Sequence, residues 1–153
     1  MANGRKISIY EASDILHQAA TLHLCSVPHD YGTGEPYTST EVHTLSYIVD
    51  NPGISVTQLA NDYGKTKGAI SQMLKKLTEK GLVRKEVSPQ SDRIYLLFPT
   101  EKGLQLHAAH KQVDTLHFGK SYKALCELYS PEEVNSAWTI LKAWVQIHRR
   151  LDR

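Results

Sequence analysis

Gly64 and Gly81 bracket the segment that most constrains how this chain folds. Between them, Thr66 is a good helix N-cap residue. Ile70, Met73, Leu74 and Leu77 then recur at helical spacing, so the sequence predicts a helix from about Thr66 to Lys80. A glycine at each bracket suits the left-handed turn that ends a helix. Upstream, Val56, Leu59, Ala60 and Tyr63 mark a short helix opened by Ser55-x-x-Gln58, the spacing of a capping box. Downstream, Leu82–Val87 and Arg93–Phe98 read as strands joined by the polar loop 88–92, a β-hairpin. Helix, short helix, glycine turn, second helix and hairpin make a helix-turn-helix with a wing.

The flanks read as helices. The first is expected over Glu11–Cys25, with Ile15, Leu16, Ala19 and Leu22 on one face, and a loop follows over 27–36. Thr38-x-x-Glu41 caps a second helix carrying Val42, Leu45, Ile48 and Val49, stopped by Asn51-Pro52-Gly53. Thr100 caps a fifth helix through roughly His117. Ser130-Pro131-Glu132-Glu133 opens the last, whose face holds Val134, Ala137, Trp138, Leu141, Val145 and His148, widened by Trp144. The expected class is mainly α with a small β-hairpin wing (α+β).

A chain of 153 residues with 41% hydrophobic and 22% charged residues suits a folded globular protein. No apolar run reaches a membrane span, and the N-terminus leads into no signal-peptide core, so a cytoplasmic protein is expected. The two cysteines, Cys25 and Cys126, are then expected to be reduced.

Net charge is only +2, but from Lys65 to Lys85 seven cations (Lys65, Lys67, Lys75, Lys76, Lys80, Arg84, Lys85) face one acid, Glu79. A charge run is commonly just a solvated face. On the second helix of a helix-turn-helix it is also the electrostatic footprint of a nucleic-acid contact. The helix opposite the apolar stripe carries Gly68, Ser71, Gln72, Lys75 and Lys76, with Thr66 and Lys67 at its leading end. Gln72 suits a bidentate pair with adenine, Ser71 a base edge or phosphate, and the lysines phosphates. Gly68 allows close backbone approach. Arg93 near the hairpin tip suits the minor groove, with Asp92 beside it. The competing reading is a surface ion pair of little consequence.

The runs Asn51–Ala60, Thr66–Val83, Asp92-Arg93 and Thr100-Glu101-Lys102-Gly103 resemble the multiple-antibiotic-resistance regulator (MarR) family. The resemblance covers about Thr38 to Gly103, and the flanking helices fit in order and length. It implies an obligate homodimer built from the terminal helices, a palindromic operator in double-stranded DNA, and regulation of transcription, usually repression relieved by a ligand. The family often has Asp-x-Arg at the wing tip. Here the acid sits directly beside Arg93, so the carry-over is to Arg93. The expected division is 1–37 and 101–153 for dimerisation and 38–100 for DNA binding. The dimer also has a physical argument: Trp138, Leu141 and Trp144 are more apolar surface than one small lobe needs to cover. The alternative is that the first helix covers them within one chain. In a dimer, two recognition helices must sit about 34 Å apart.

Three switches compete. The resemblance suggests a small organic ligand in the cleft between the dimer region and the winged helix. Tyr10, Tyr31, Tyr37 and Tyr47 are candidate lining residues, and equally ordinary packed aromatics. The second is a metal. Of eight histidines, His107, His110 and His117 share a stripe of the fifth helix with Asp114, facing away from Leu106, Ala109, Val113 and Leu116. Residues at i and i+4, such as His110 and Asp114, can share one ion. His43, His23, Cys25 and His29 are further donors, and the competing reading is a solvated face. A zinc-sensing branch of the family places ligands where this chain has His43, His110 and Asp114, although Asp114 replaces a histidine and Val42 a second acid. The third is oxidation of Cys25.

An enzyme is not expected: the chain has no HExxH, nucleophile elbow or phosphate loop. A winged helix used only for protein contacts is the other class, and the basic outer face argues against it.

Overall fold

The computed structural model describes residues 6–24 and 27–151. Cys25 and the His23 side chain lie outside that description. The order is α1 (Ile9–Leu24), β1 (His29–Asp30), β2 (Pro36–Tyr37), α2 (Ser39–Asp50), β3 (Ile54–Ser55), α3 (Val56–Asp62), α4 (Lys67–Glu79), β4 (Val83–Ser88), β5 (Ser91–Pro99), α5 (Glu101–Leu128) and α6 (Pro131–Leu151).

Local chemistry sets most boundaries. Thr38 and Glu41 form the full reciprocal capping box of α2. At α3 the Ser55 hydroxyl accepts from the Gln58 amide. Ser130 and Glu133 bond reciprocally at the start of α6, 2.8 and 3.2 Å. α1 begins at Ile9 because Ser8 and Glu11 make the same exchange, 3.1 Å each way. Gly64 (φ 58°) and Gly81 (φ 69°) hold the left-handed conformations that stop α3 and α4.

Three expectations change. The loop 27–36 contains a short antiparallel pair, β1 with β2. The wing gains a third strand: β3 pairs with β5, giving the order β3-β5-β4, and the Gly53 amide donates to the Leu97 carbonyl at 2.8 Å. Both additions are two-residue strands made by tertiary pairing, so no periodicity announces them. Finally, α5 continues eleven residues past His117 to Leu128. Residues 118–128 contain no proline and one glycine, Gly119, whose cost of about 1 kcal/mol does not break a long helix.

The core lies in the winged helix. Leu45 and Ile48 of α2, Leu59 of α3, Ile70, Leu74 and Leu77 of α4, Leu82 just before β4, Leu97 of β5 and Leu106 of α5 are each exposed by 1% or less. Gly103 lets α5 press on the sheet: a Cβ there would meet the Leu82 carbonyl oxygen at 2.2 Å. The flanks differ. Ile9, Leu22, Leu116, Ile140 and Leu151 are at least two-thirds exposed, and Trp138 and Trp144 nearly half. On α6 only Val134 is buried among the described residues, so α1 does not cover that face within the chain.

Candidate nucleic-acid interface and histidine cleft

α4 is two-faced. Ile70, Leu74 and Leu77 are fully buried, and Met73 is half-buried. Gly68, Ser71, Gln72, Lys75 and Lys76 are all exposed on the other side, with Thr66 and Lys67 exposed at the leading end. The Thr66 hydroxyl accepts from the Ala69 amide at 3.2 Å, so it is engaged as the cap. Lys75 makes a loose surface pair with Glu79 at 3.8 Å, worth little in water.

The basic patch is narrower than the sequence implies. Lys80 turns inward: its Nζ lies 2.8 Å from Oε1 of Glu41 and 4.6 Å from the centre of the Tyr37 ring. Arg84 lies over Phe98 at 4.9 Å and pairs with Glu86. That leaves Lys65, Lys67, Lys75, Lys76 and Lys85 exposed around the helix and wing.

In the wing, Ser88 pairs with Ser91, and the next pair is Val87 with Tyr95. Asp92, Arg93 and Ile94 therefore stand between paired positions as a bulge, and all three are exposed. The Arg93 amide donates to the Ser91 hydroxyl at 3.3 Å. No ion pair joins Asp92 to Arg93 among the described residues.

A second feature is a cleft of about 430 Å³ bounded by α1, the β1–β2 segment, α2 and α5. His43 of α2 meets His110 and Asp114 of α5 there. Nε2 of His110 lies 3.2 Å from Oδ2 of Asp114. The His43 and His110 rings meet edge to face at 4.9 Å. One ligand atom from each of the three lies within 4.8 Å of the others. Tetrahedral zinc with bonds of about 2.0–2.1 Å places its ligands roughly 3.3 Å apart. The His110–Asp114 pair already has that spacing, and a closure of about 1.5 Å brings the set to it. Two imidazoles and a carboxylate also suit zinc chemically, with a fourth position left for water.

His110 corrects the solvated-face reading of α5. It is 5% exposed and shares the inner side with Leu106, whereas Leu116 is 69% exposed. The buried face of α5 runs through 106, 110 and 113–114 at helical spacing. His107 points to α2 instead, its Nδ1 3.0 Å from the Ser46 hydroxyl, while His117 lines the cleft.

The tyrosines divide. Tyr31 and Tyr37 line the cleft. Tyr31 packs on His110 at 5.4 Å and on His29 at 4.8 Å. Burial, with the Asp114 charge, pushes its phenol above the ordinary value. Tyr47 donates to Asp62 at 2.9 Å, joining α2 to α3, and Tyr10 is 82% exposed on α1. Sequence reasoning gave no role to Glu41 beyond the cap, and none to Thr44, whose hydroxyl reaches the Met73 sulfur at 2.7 Å. The side chains alone carry no signal for either contact.

Residues 36–94, the winged helix, match the MarR family model. That segment belongs to the MarR family. A curated relative, the uncharacterized HTH-type transcriptional regulator YhjH of Bacillus subtilis, is 34% identical over 83 residues, 54% of this chain and 47% of the relative. The chain spans about half the length of the curated relatives it matches. Among solved structures, Streptococcus pneumoniae FabT in complex with DNA superposes with a TM-score of 0.69 at 21% identity, covering 93% of this chain and 95% of that one. The zinc-responsive MarR family member ZitR of Lactococcus lactis gives 0.60 at 20% identity, covering 92% and 96%. These likenesses extend the MarR fold beyond the winged helix into the flanking helices. Among the described residues, no helix is long and apolar enough to cross a membrane.

Proposed function

We propose that this protein is a sequence-specific transcription regulator, a repressor that grips a palindromic operator in double-stranded DNA as a homodimer. The observation that carries this is the exposed face Gly68, Ser71, Gln72, Lys75 and Lys76 on α4 of a MarR-family winged helix. One helix fits the major groove, and Arg93 on the wing bulge suits the minor groove. FabT, of the same fold, was solved on DNA. Residues 38–100 act as the DNA-binding unit, and 1–37 and 101–153 as the dimer-forming parts. The exposed apolar side chains of α1, α5 and α6 support a partner there.

The cleft between the dimer-forming helices and the winged helix is the effector site in this reading, with a small organic ligand as effector. Val113, Phe118, Tyr31 and Tyr37 supply apolar wall. A second reading, zinc as effector, is favoured by one specific observation: His43, His110 and Asp114 converge within 4.8 Å. ZitR, of the same fold, is zinc-responsive. When bound, zinc would tie α2 to α5 through those three side chains.

A gel shift with the DNA flanking the protein's own gene, at two salt concentrations, tests the function. Binding weakens steeply with salt if phosphates are contacted. No shift at low salt favours the other-class reading, a winged helix for protein contacts. Repeating the titration with zinc separates the two effectors: unchanged affinity at sub-toxic free zinc removes the metal.

A further inference from the structure

The recognition face of α4 is useful only if the helix points in one direction. The core it shares with α2, which includes Leu45, Ile70 and Leu74, is apolar and non-directional, and such packing leaves a scatter of about 15–20° in crossing angle. Two polar contacts between the same helices are directional. Thr44 Oγ1 donates to Met73 Sδ at 2.7 Å, and Thr44 is fully buried. Lys80 Nζ meets Glu41 Oε1 at 2.8 Å, with the Glu41 side chain 9% exposed. Residues 73 and 80 lie about 10 Å apart along a helix. A helix pinned at two points that far apart cannot pivot on its apolar side.

The second pin is built from several parts. Lys80 donates to the Pro36 carbonyl at 3.3 Å and covers the ring of Tyr37, which is 1% exposed. Glu41 uses its other oxygen to accept from the Thr38 amide at 2.8 Å and the Thr38 hydroxyl at 3.0 Å. Tyr37 also lines the histidine cleft, so this pin stands on the cleft wall.

We propose that Glu41 and Lys80 are positioning residues for DNA recognition: their partly buried ion pair sets the direction of the recognition helix from the wall of the histidine cleft. The inference rests on the DNA-binding reading above. Lys80 acts here through Glu41 and touches no phosphate, which separates it from Lys75 and Lys76.

The test uses the full-length protein and DNA flanking its own gene, with affinity read at several salt concentrations. Glu41→Gln removes the charge but keeps an acceptor that suits the capping box. Lys80→Met removes the cation and keeps the stem. Each is expected to weaken operator binding about tenfold, comparable to losing one base contact. The salt slope stays that of the unaltered protein, whereas losing a phosphate contact lowers it by about one. Lys80→Arg, which keeps the pair, restores affinity. Amide exchange over residues 74–82 quickens in Glu41→Gln and Lys80→Met alone. A lowered slope in Lys80→Met makes Lys80 a phosphate contact and overturns the proposal. So does normal affinity in both variants. If the unaltered protein binds no DNA at low salt, the reading beneath falls, and this proposal with it.

Discussion

Asp114 reaches back one helical turn to His110, its Oδ2 3.2 Å from Nε2, on the part of α5 that faces His43 across the cleft. Without an ion, a carboxylate in that place orients the imidazole; with zinc bound, the same two side chains would both turn to the ion as ligands. The first prediction follows. If zinc is the effector, His110→Gln and Asp114→Asn each weaken zinc binding by at least tenfold in calorimetry, while zinc-free operator affinity changes less than about threefold. Equal zinc affinity in all three proteins would remove the cluster as a metal site.

The face of α4 separates two kinds of contact. Lys75→Ala is expected to weaken binding to all sequences alike and to reduce the salt slope by about one. Gln72→Ala is expected to change base preference, by about 1–3 kcal/mol if its contact is bidentate. Binding to a panel of single-base operator variants checks both.

Glu41 makes stability depend on acid. Burial works to raise its pKa, but the Lys80 hydrogen bond, the Thr38 amide and hydroxyl, and the Lys80 charge outweigh it, so the carboxyl sits below 4.5. A depressed folded pKa contributes stability above the unfolded value, lost as pH falls through the folded one. The Tm advantage of the unaltered protein over Glu41→Gln is therefore full at neutral pH and shrinks below about pH 4.5. A pH-independent difference would show that the carboxylate charge is not the source.

Gly103→Ala should be among the most damaging small substitutions in the chain. The new methyl would meet the Leu82 carbonyl oxygen, a backbone atom that cannot swing aside, at 2.2 Å. Overpacking of this kind costs typically about 1–3 kcal/mol, visible as a lowered denaturation midpoint. Gly119→Ala, with nothing within 4 Å, is the control on the same helix.

Trp138→Asp addresses the uncovered face of α6. Trp138 is 46% exposed in the single chain. If a second copy covers it, the substitution weakens dimerisation by about 2 kcal/mol or more, since aromatic anchors dominate such interfaces. Sedimentation at decreasing concentration reads this directly, and an unshifted monomer–dimer equilibrium would place the interface elsewhere.

What the sequence makes legible here is what is encoded locally. The bounds of α4 can be read because Thr66 caps it, Gly81 ends it and the apolar stripe lies between, all within one stretch. The Thr38–Glu41 cap of α2 is legible for the same reason. The inner face of α5 is not: its apolar spacing runs through Leu116, and only packing against α2 shows that His110 points inward. Nor is the Glu41–Lys80 pair, because its members belong to different elements and each has an adequate local reading, one as a cap and the other as part of a basic run. The grouping of His43 with His110 and Asp114 came from a resemblance, since no spacing links residues on two helices.

α5 runs unbroken from Glu101 to Leu128, with Gly103 seated on the sheet at one end. A helix of that length is about 42 Å long. By simple leverage, a tilt of about 5° at its seated end moves the far end by about 4 Å, roughly the gap between neighbouring phosphates along one axis of a duplex. The helix thus has the geometry of a lever: measured from Gly103, a shift of about 1 Å beside His110 corresponds to one of about 3–4 Å at Leu128.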